Sequence, residues 1–201
     1  MVGVKSTQPG RPRDDRIDRA VPAAVRELLA EIGYGRFTVD QVAKRAGVGK
    51  AAIYRRFGSK AEMVFAAAVH DVDTGPTTDT GGLESDLRAL LGEVRDILTD
   101  PAAQAALPAL IETLSTDESL REKLTNTFLT SELADIREIC DRAEARGEIT
   151  GPADIDVAHL MIVGPLITAL FVFHVPITDD HLNRIARSIY LTLTATLQST
   201  T

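Results

Sequence analysis

From Ile17 to Leu197 the apolar residues of this 201-residue chain recur three and four positions apart, and no stretch alternates apolar with polar. A strand shows a period of two and a helix a period near 3.6, so such a chain can bury its apolar side chains only as helices packed on helices. The expectation is an all-α fold of about nine helices. The first runs through "RIDRAVPAAVRELLAEIGY", with Ile17, Val21, Ala24, Val25, Leu28, Leu29 and Ile32 on one face and Gly33 and Gly35 at its end. Thr38 caps a short second helix, "GVG" turns the chain, Ala51 to Phe57 form a third, and Ser59 caps a fourth. After the break "TGPTTDTGG" at 74–82 come a Leu83–Leu98 stripe, a helix capped by Asp100 with Pro101 at its first position, and a long helix closing at Gly147. An uncharged helix over 153–173 and a last one from Thr178 through Leu197 complete the chain. Three units are therefore expected: an arm over 1–14, a domain of short helices over 15–75, and a larger helical domain over 76–201.

Charge divides along the same boundary. Residues 1–70 hold 13 Lys and Arg against 7 Asp and Glu, a net of +6, whereas residues 71–201 hold the other 9 and 22, a net of −13. A basic head on an acidic body suits a head that meets a polyanion and a body that is repelled by it. The single cysteine, Cys140, cannot close an internal disulfide and has no neighbouring His or Lys to activate it, which fits a reducing, cytoplasmic setting. The N-terminus "MVGVKSTQPGRPRDDR" lacks the apolar core of a signal peptide.

Between Asp156 and Asp179 there is no Asp, Glu, Lys or Arg. A membrane span needs roughly 20 apolar residues, but this segment contains His159, His174, the Gly164–Pro165 pair and Pro176, and its flanks are acidic rather than basic. The expectation is a buried helix and no membrane contact. One face packs on its own domain; the other, with Met161, Gly164, Ile167, Ala169 and Phe171 as candidates, lacks an obvious partner within the chain.

The segment "AGVGKAAIYRRF", residues 46–57, admits two readings. A phosphate-binding loop requires Gly, four residues, then Gly-Lys-Ser/Thr after an apolar strand. Here Lys44 stands where the first Gly belongs, Ala51 where the hydroxyl belongs, and "TVDQVAKRA" has helical spacing. Two short helices joined by a glycine turn, the second basic, instead form a helix-turn-helix, which sets its second helix in the major groove of DNA.

The run "GRFTVDQVAKRAGVGKAAIYRRFGSKAEM" strongly resembles the DNA-binding domain of TetR-family transcriptional regulators. The resemblance is carried by Thr38, Val39, Val42-Ala43, Ala46-Gly47-Val48, Tyr54-Arg55-Arg56-Phe57, Ser59-Lys60 and Met63, and it covers residues 15–75. It implies a three-helix N-terminal DNA-binding domain and a C-terminal helical domain that binds a small ligand and dimerises through the last two helices, at 153–198. It also implies a ligand-responsive repressor, located with the nucleoid, that binds a palindromic operator. Two residues depart from the pattern: Gly49 replaces the usual Ser cap of the recognition helix, and Ala51 stands where Gly is common, leaving room for a thymine methyl.

The expected DNA-binding residues lie between Thr38 and Lys60. Lys50 sits at a helix start facing phosphates or base edges, and Tyr54 carries a hydroxyl suited to a phosphate. Arg55 and Arg56 cannot both be aimed at the groove by one helical turn. Thr38, Ser59 and Lys60 stand at helix N-termini, where phosphates dock. Val48 and Phe57 belong to the core. In the arm, "GRP" resembles the centre of AT-hook segments, which assigns Arg11 and Arg13 to the minor groove. Asp179-Asp180-His181 are consecutive and cannot converge on a metal, and His70 with Asp73, His159 and His174 suggest no catalytic set. No cofactor is expected beyond an unidentified effector. Two other classes stay open: a helical ligand-binding or interaction protein that does not bind DNA, and a nucleotide-dependent enzyme using GVGK.

Overall fold

The computed structural model describes residues 15–70 and 78–195, and all regular structure there is helical. Helix α1 is Asp15–Ile32, α2 Val39–Ala46, α3 Lys50–Phe57 and α4 Lys60–Phe65, which continues as a π-helical turn, Ala66–His70. Helix α5 is Leu83–Thr99 and α6 Pro101–Thr116. Helices α7 (Glu118–Leu124) and α8 (Thr130–Ala145) are joined through a π-helical turn, Thr125–Leu129, into one rod. Helix α9 is Ile155–Ile167, extended by a third π-helical turn, Thr168–Val172, and α10 is Asp179–Thr194. Joined in this way the helices make nine rods among the described residues. The segments 1–14, 71–77 and 196–201 lie outside them, and with them the arm and the domain boundary.

The caps follow their sequence signals. Thr38 and Gln41 form a reciprocal capping box at α2. Asp100 accepts from the Ala102 amide at 2.8 Å to open α6, with Pro101 at the first position. His181, whose role was not foreseen, closes a capping box with Thr178 at α10. His174 ends the α9 rod in the left-handed region, at φ 52°.

Two cores fill the molecule. The first collects Val21, Val25 and Leu29 of α1, Val42 of α2, Ile53 and Phe57 of α3, and Met63 and Val64 of α4. The second gathers Leu87 and Leu91 of α5, Ile136 and Ile139 of α8, Ile162 and Leu166 of α9, and Leu182 and Ile189 of α10. Helix α6 is shared: Ala102, Ala106 and Leu110 face the first core, Ala103 and Leu107 the second. Leu120 and Leu124 of α7 also belong to the first core, so the packing units do not follow the chain at residue 76. Polar ties cross the same seam. Arg26 of α1 pairs with the Asp100 carboxylate at 2.6 Å and donates to the Ala67 carbonyl at 3.2 Å, and Lys123 of α7 pairs with Glu62 of α4 at 2.6 Å.

The π-helical turn at Thr125–Leu129 explains an irregularity in the sequence. Apolar positions advance by four from Leu120 to Leu124 to Phe128 and then by five to Leu133. A π turn takes up one extra residue and so offsets the five-residue step. Along the rod, Leu124 serves the first core and Ile136 the second.

The uncharged helix is only partly covered by its own chain: the continuous rod Ile155–Val172 is long and apolar enough to cross a membrane, and 22% of it is buried within the chain. The outward stripe is a different one from that expected. Met161, Ile167 and Phe171 pack against the second core, while Val157, Leu160, Gly164, Thr168 and Val172 face out, Leu160 at 67% exposure. Phe173 and Val175 beyond it, and Leu191 of α10, are exposed as well.

Candidate nucleic-acid interface

Helices α2 and α3 are held at a fixed angle by the turn between them. Gly47 caps α2 in the left-handed conformation, φ 65° and ψ 33°, and the Val48 amide donates back to the Ala43 carbonyl at 3.0 Å. Only glycine adopts that φ without strain, which explains the glycine at this place in the turn. Ile53 and Phe57 then anchor α3 in the first core; truncating such a side chain costs about 3 kcal/mol. What remains of α3 faces outward: Lys50, Ala51, Tyr54, Arg55 and Arg56 are all exposed.

These side chains are held in different ways. Lys50 Nζ lies 2.9 Å from Asp40 Oδ1, and that hydrogen bond, with the charge behind it, raises the ammonium's pKa. Arg56 is turned back towards α1, its Nε 2.7 Å from Asp18 Oδ1 and its guanidinium 5.3 Å from the Phe57 ring. Arg55 makes no hydrogen bond or ion pair among the described residues. One turn thus presents Arg55 outward and ties Arg56 sideways. Tyr54 is 44% exposed.

The flanking N-termini are occupied from within. The Thr38 side chain accepts from the Gln41 amide at 3.3 Å, and Ser59 Oγ accepts from the Glu62 amide at 3.1 Å. Lys60 is half-buried: Nζ donates to the Tyr34 carbonyl at 2.8 Å and sits 4.4 Å and 4.5 Å from the centres of the Tyr34 and Phe37 rings. Burial lowers its pKa. Lys60 thereby secures the link after α1, a role its position in sequence did not suggest. Arg45, outward in the sequence reading, is clamped to Glu31 by two hydrogen bonds of 2.7 and 2.8 Å. Gly49 provides no side-chain cap for α3, as its departure from the family pattern implied. Arg11 and Arg13 lie outside the described residues. Among those described, no three His, Cys, Asp or Glu side chains gather as a metal site. Burial pushes the Cys140 thiol up to about 11.

A cavity that sequence reasoning did not locate opens between the two cores, with Glu132, Asp135 and His159 on its wall. The only signal for it was the three-residue spacing of the two carboxylates on one helix.

A braced, exposed basic helix following a glycine turn defines a helix-turn-helix DNA-binding protein. Comparison with known proteins narrows this. Residues 23–67 match the family model for bacterial regulatory proteins of the tetR family, and residues 77–189 match the tetracyclin repressor-like C-terminal domain. The uncharacterised HTH-type transcriptional regulator Rv1556 of Mycobacterium tuberculosis is 32% identical over 196 residues, covering 95% of this chain and 96% of that protein. The DNA-binding transcriptional repressor TetR of Mycobacteroides abscessus is 30% identical over 183 residues, covering 90% and 95%. Among solved structures, the TetR family transcription regulator SCO0332 matches with a TM-score of 0.72 at 25% identity, over 87% of this chain and 97% of its own. The chain belongs to the TetR family of bacterial transcriptional regulators. It is a DNA-binding transcriptional regulator.

Proposed function

We propose that the chain works as a homodimer, setting α3 of each copy in the major groove of a palindromic DNA site and leaving that site when a small ligand binds. The observation that carries this reading is the face of α3, where Lys50, Ala51, Tyr54 and Arg55 lie together in solvent while Ile53 and Phe57 are buried. Arg55 has no partner among the described residues to give up, and Lys50 exchanges an exposed carboxylate for a phosphate. Thr38, Ser59 and Lys60 flank the helix at N-termini where phosphates dock, Arg56 lies beside it, and Arg11 and Arg13 of the arm follow the adjacent minor groove.

The outward stripe of α9 supports the dimer. Large contiguous apolar patches are rare on soluble monomers, and this one lies beside α10, so two copies can close a four-helix bundle about a two-fold axis. Such a dimer presents two α3 helices about 34 Å apart, one turn of DNA, or somewhat more. The effector belongs in the cavity between the cores. Phe65 and Val69 of the α4 rod line it, and α4 follows α3 after a two-residue turn, so an occupant bears on the recognition helix through one rigid element. The protein acts by binding in the cytoplasm, without catalysis.

The test is selection of duplexes from a randomised pool by the full-length protein. Enrichment of a two-fold symmetric site with half-sites about one helical turn apart is expected. Failure to enrich any sequence would return the chain to the class of helical interaction proteins that do not bind DNA.

A further inference from the structure

The cavity between the cores has a volume of about 230 Å³. An apolar cavity of about 150 Å³ holds a benzene ring, so this one suits an occupant of roughly ten non-hydrogen atoms. Eleven of the fourteen described residues that line it are apolar, Leu90 and Val94 of α5, Ile162 and Val163 of α9, and Phe65 of α4 among them. The other three are Glu132, Asp135 and His159, and the described lining includes no lysine or arginine.

Both carboxylates on this wall are already engaged. Glu132 Oε2 lies 3.0 Å from His159 Nε2 of the facing helix, a pair that joins α8 to α9, and the Glu132 side chain is 41% exposed to water. Asp135 has a partner within the protein as well. What the wall leaves to an occupant is therefore mainly carbon surface. Charge is disfavoured beside it: burial raises the pKa of Glu93, next to Val94 in the chain, and the like charges of Asp135 and Asp96 push it the same way. An ion that enters such a space loses its water and is repaid only by an unspent countercharge. An anion finds no lysine or arginine on the described wall, and a cation must compete with the partners that the carboxylates already hold.

We infer that the cavity takes a small uncharged molecule: a mostly apolar body such as one ring with a short chain, carrying at most a hydroxyl or carbonyl as its polar group. The body packs against Leu90, Val94 and Ile162, and the polar group meets the Glu132–His159 pair. The inference rests on the proposal that this cavity is the effector site, and it narrows the effector to a neutral compound. Carboxylates, phosphates and amines of the same skeleton bind more weakly, because each brings a charge that must be stripped of water.

The experiment is calorimetric titration of the full-length protein at neutral pH with three probes that share one skeleton: phenylpropanol, phenylpropylamine and phenylpropanoate. The expected result is that the alcohol binds about tenfold tighter than either ion, or better. The variants His159→Leu and, more mildly, His159→Met leave Glu132 without its histidine. With their fold checked by circular dichroism, they should bind the amine about tenfold tighter than the wild type does, and the alcohol as before. An ion that equals the alcohol in the wild type, or folded His159 variants that gain nothing for the amine, overturns the neutral-ligand inference while leaving the cavity as a ligand site. Filling the cavity with Val94→Trp, or with the milder Leu90→Phe, separates the two claims. If both filled variants keep wild-type affinity for every probe, or if the wild type binds none of them at millimolar concentration, the cavity is not the effector site and the inference falls with it.

Discussion

Neighbouring residues of one type have different fates in this fold, and the pair Arg55 and Arg56 shows why. On a helix, adjacent side chains are about 100° apart, so when Phe57 and Ile53 fix the buried face, Arg56 falls within reach of Asp18 and Arg55 does not. The glycines divide in the same manner. Gly47 and Gly58 hold φ of 65° and 74°, where any side chain is strained, and an added Cβ at Gly58 would also meet Lys123 Nζ at 2.7 Å. Gly49 differs: its φ is −74°, its ψ is 139°, and an added Cβ would meet nothing within 4 Å. This is the N-cap of α3, and its backbone already has the extended geometry that a capping serine adopts. Gly49→Ser is therefore expected to raise unfolding stability by about 0.5–1 kcal/mol, by supplying a cap and restricting the unfolded chain. The same hydroxyl should strengthen DNA binding to all sequences alike, because it meets backbone rather than bases. Denaturant melts and anisotropy titrations of the variant check both effects; a lower denaturation midpoint would show that α3 does not begin where the structure starts it.

At the scale of elements, the most informative case is the α9 rod. Its helical nature and its boundaries near 153–173 were legible in the sequence, and so was the need for a second covering surface. Which face turns outward was not. An amphipathic helix declares its phase through its polar residues, and a charge-free helix has no polar stripe to do so. Packing chose the phase: Met161, Ile167 and Phe171 went to the core and Val157, Leu160, Gly164 and Val172 to the surface. The helix-turn-helix was legible for the opposite reason, since its Thr cap, αL glycine and the Tyr54–Phe57 spacing of α3 are local signals in the chain. The cavity was hidden, because it forms where α4, α5, α8 and α9 converge, and Glu132 and Asp135 look in sequence like any solvated helix face. For the seam, Leu160→Asp is expected to leave the monomer fold intact, since Leu160 is 67% exposed, and to break the dimer. Sedimentation at micromolar concentration should then show monomers with poor affinity for the palindrome. A dimer that persists in this variant, with wild-type operator affinity, places the interface elsewhere.

Over the whole molecule, charge and packing divide the labour. Basic residues concentrate in the first 70 positions and acidic ones in the rest, so the DNA-facing end is attracted and the remainder repelled, which orients the approach. The two cores are not independent, because α6 serves both and the Arg26–Asp100 and Lys123–Glu62 pairs bridge them. A ligand that moves the α4 rod thus moves a body already coupled to α3. The central claim is that the exposed face of α3 contacts DNA, and the most direct measurement is anisotropy of a labelled duplex carrying the selected palindrome, titrated with protein from about 50 to 200 mM salt. The account predicts that log K falls linearly and steeply with log salt for the wild type. For the double variant Lys50→Ala, Arg55→Ala, which removes four charges per dimer, it predicts a slope shallower by about 2 to 4 and weakened discrimination against a scrambled site. A double variant with wild-type affinity, slope and discrimination would contradict it.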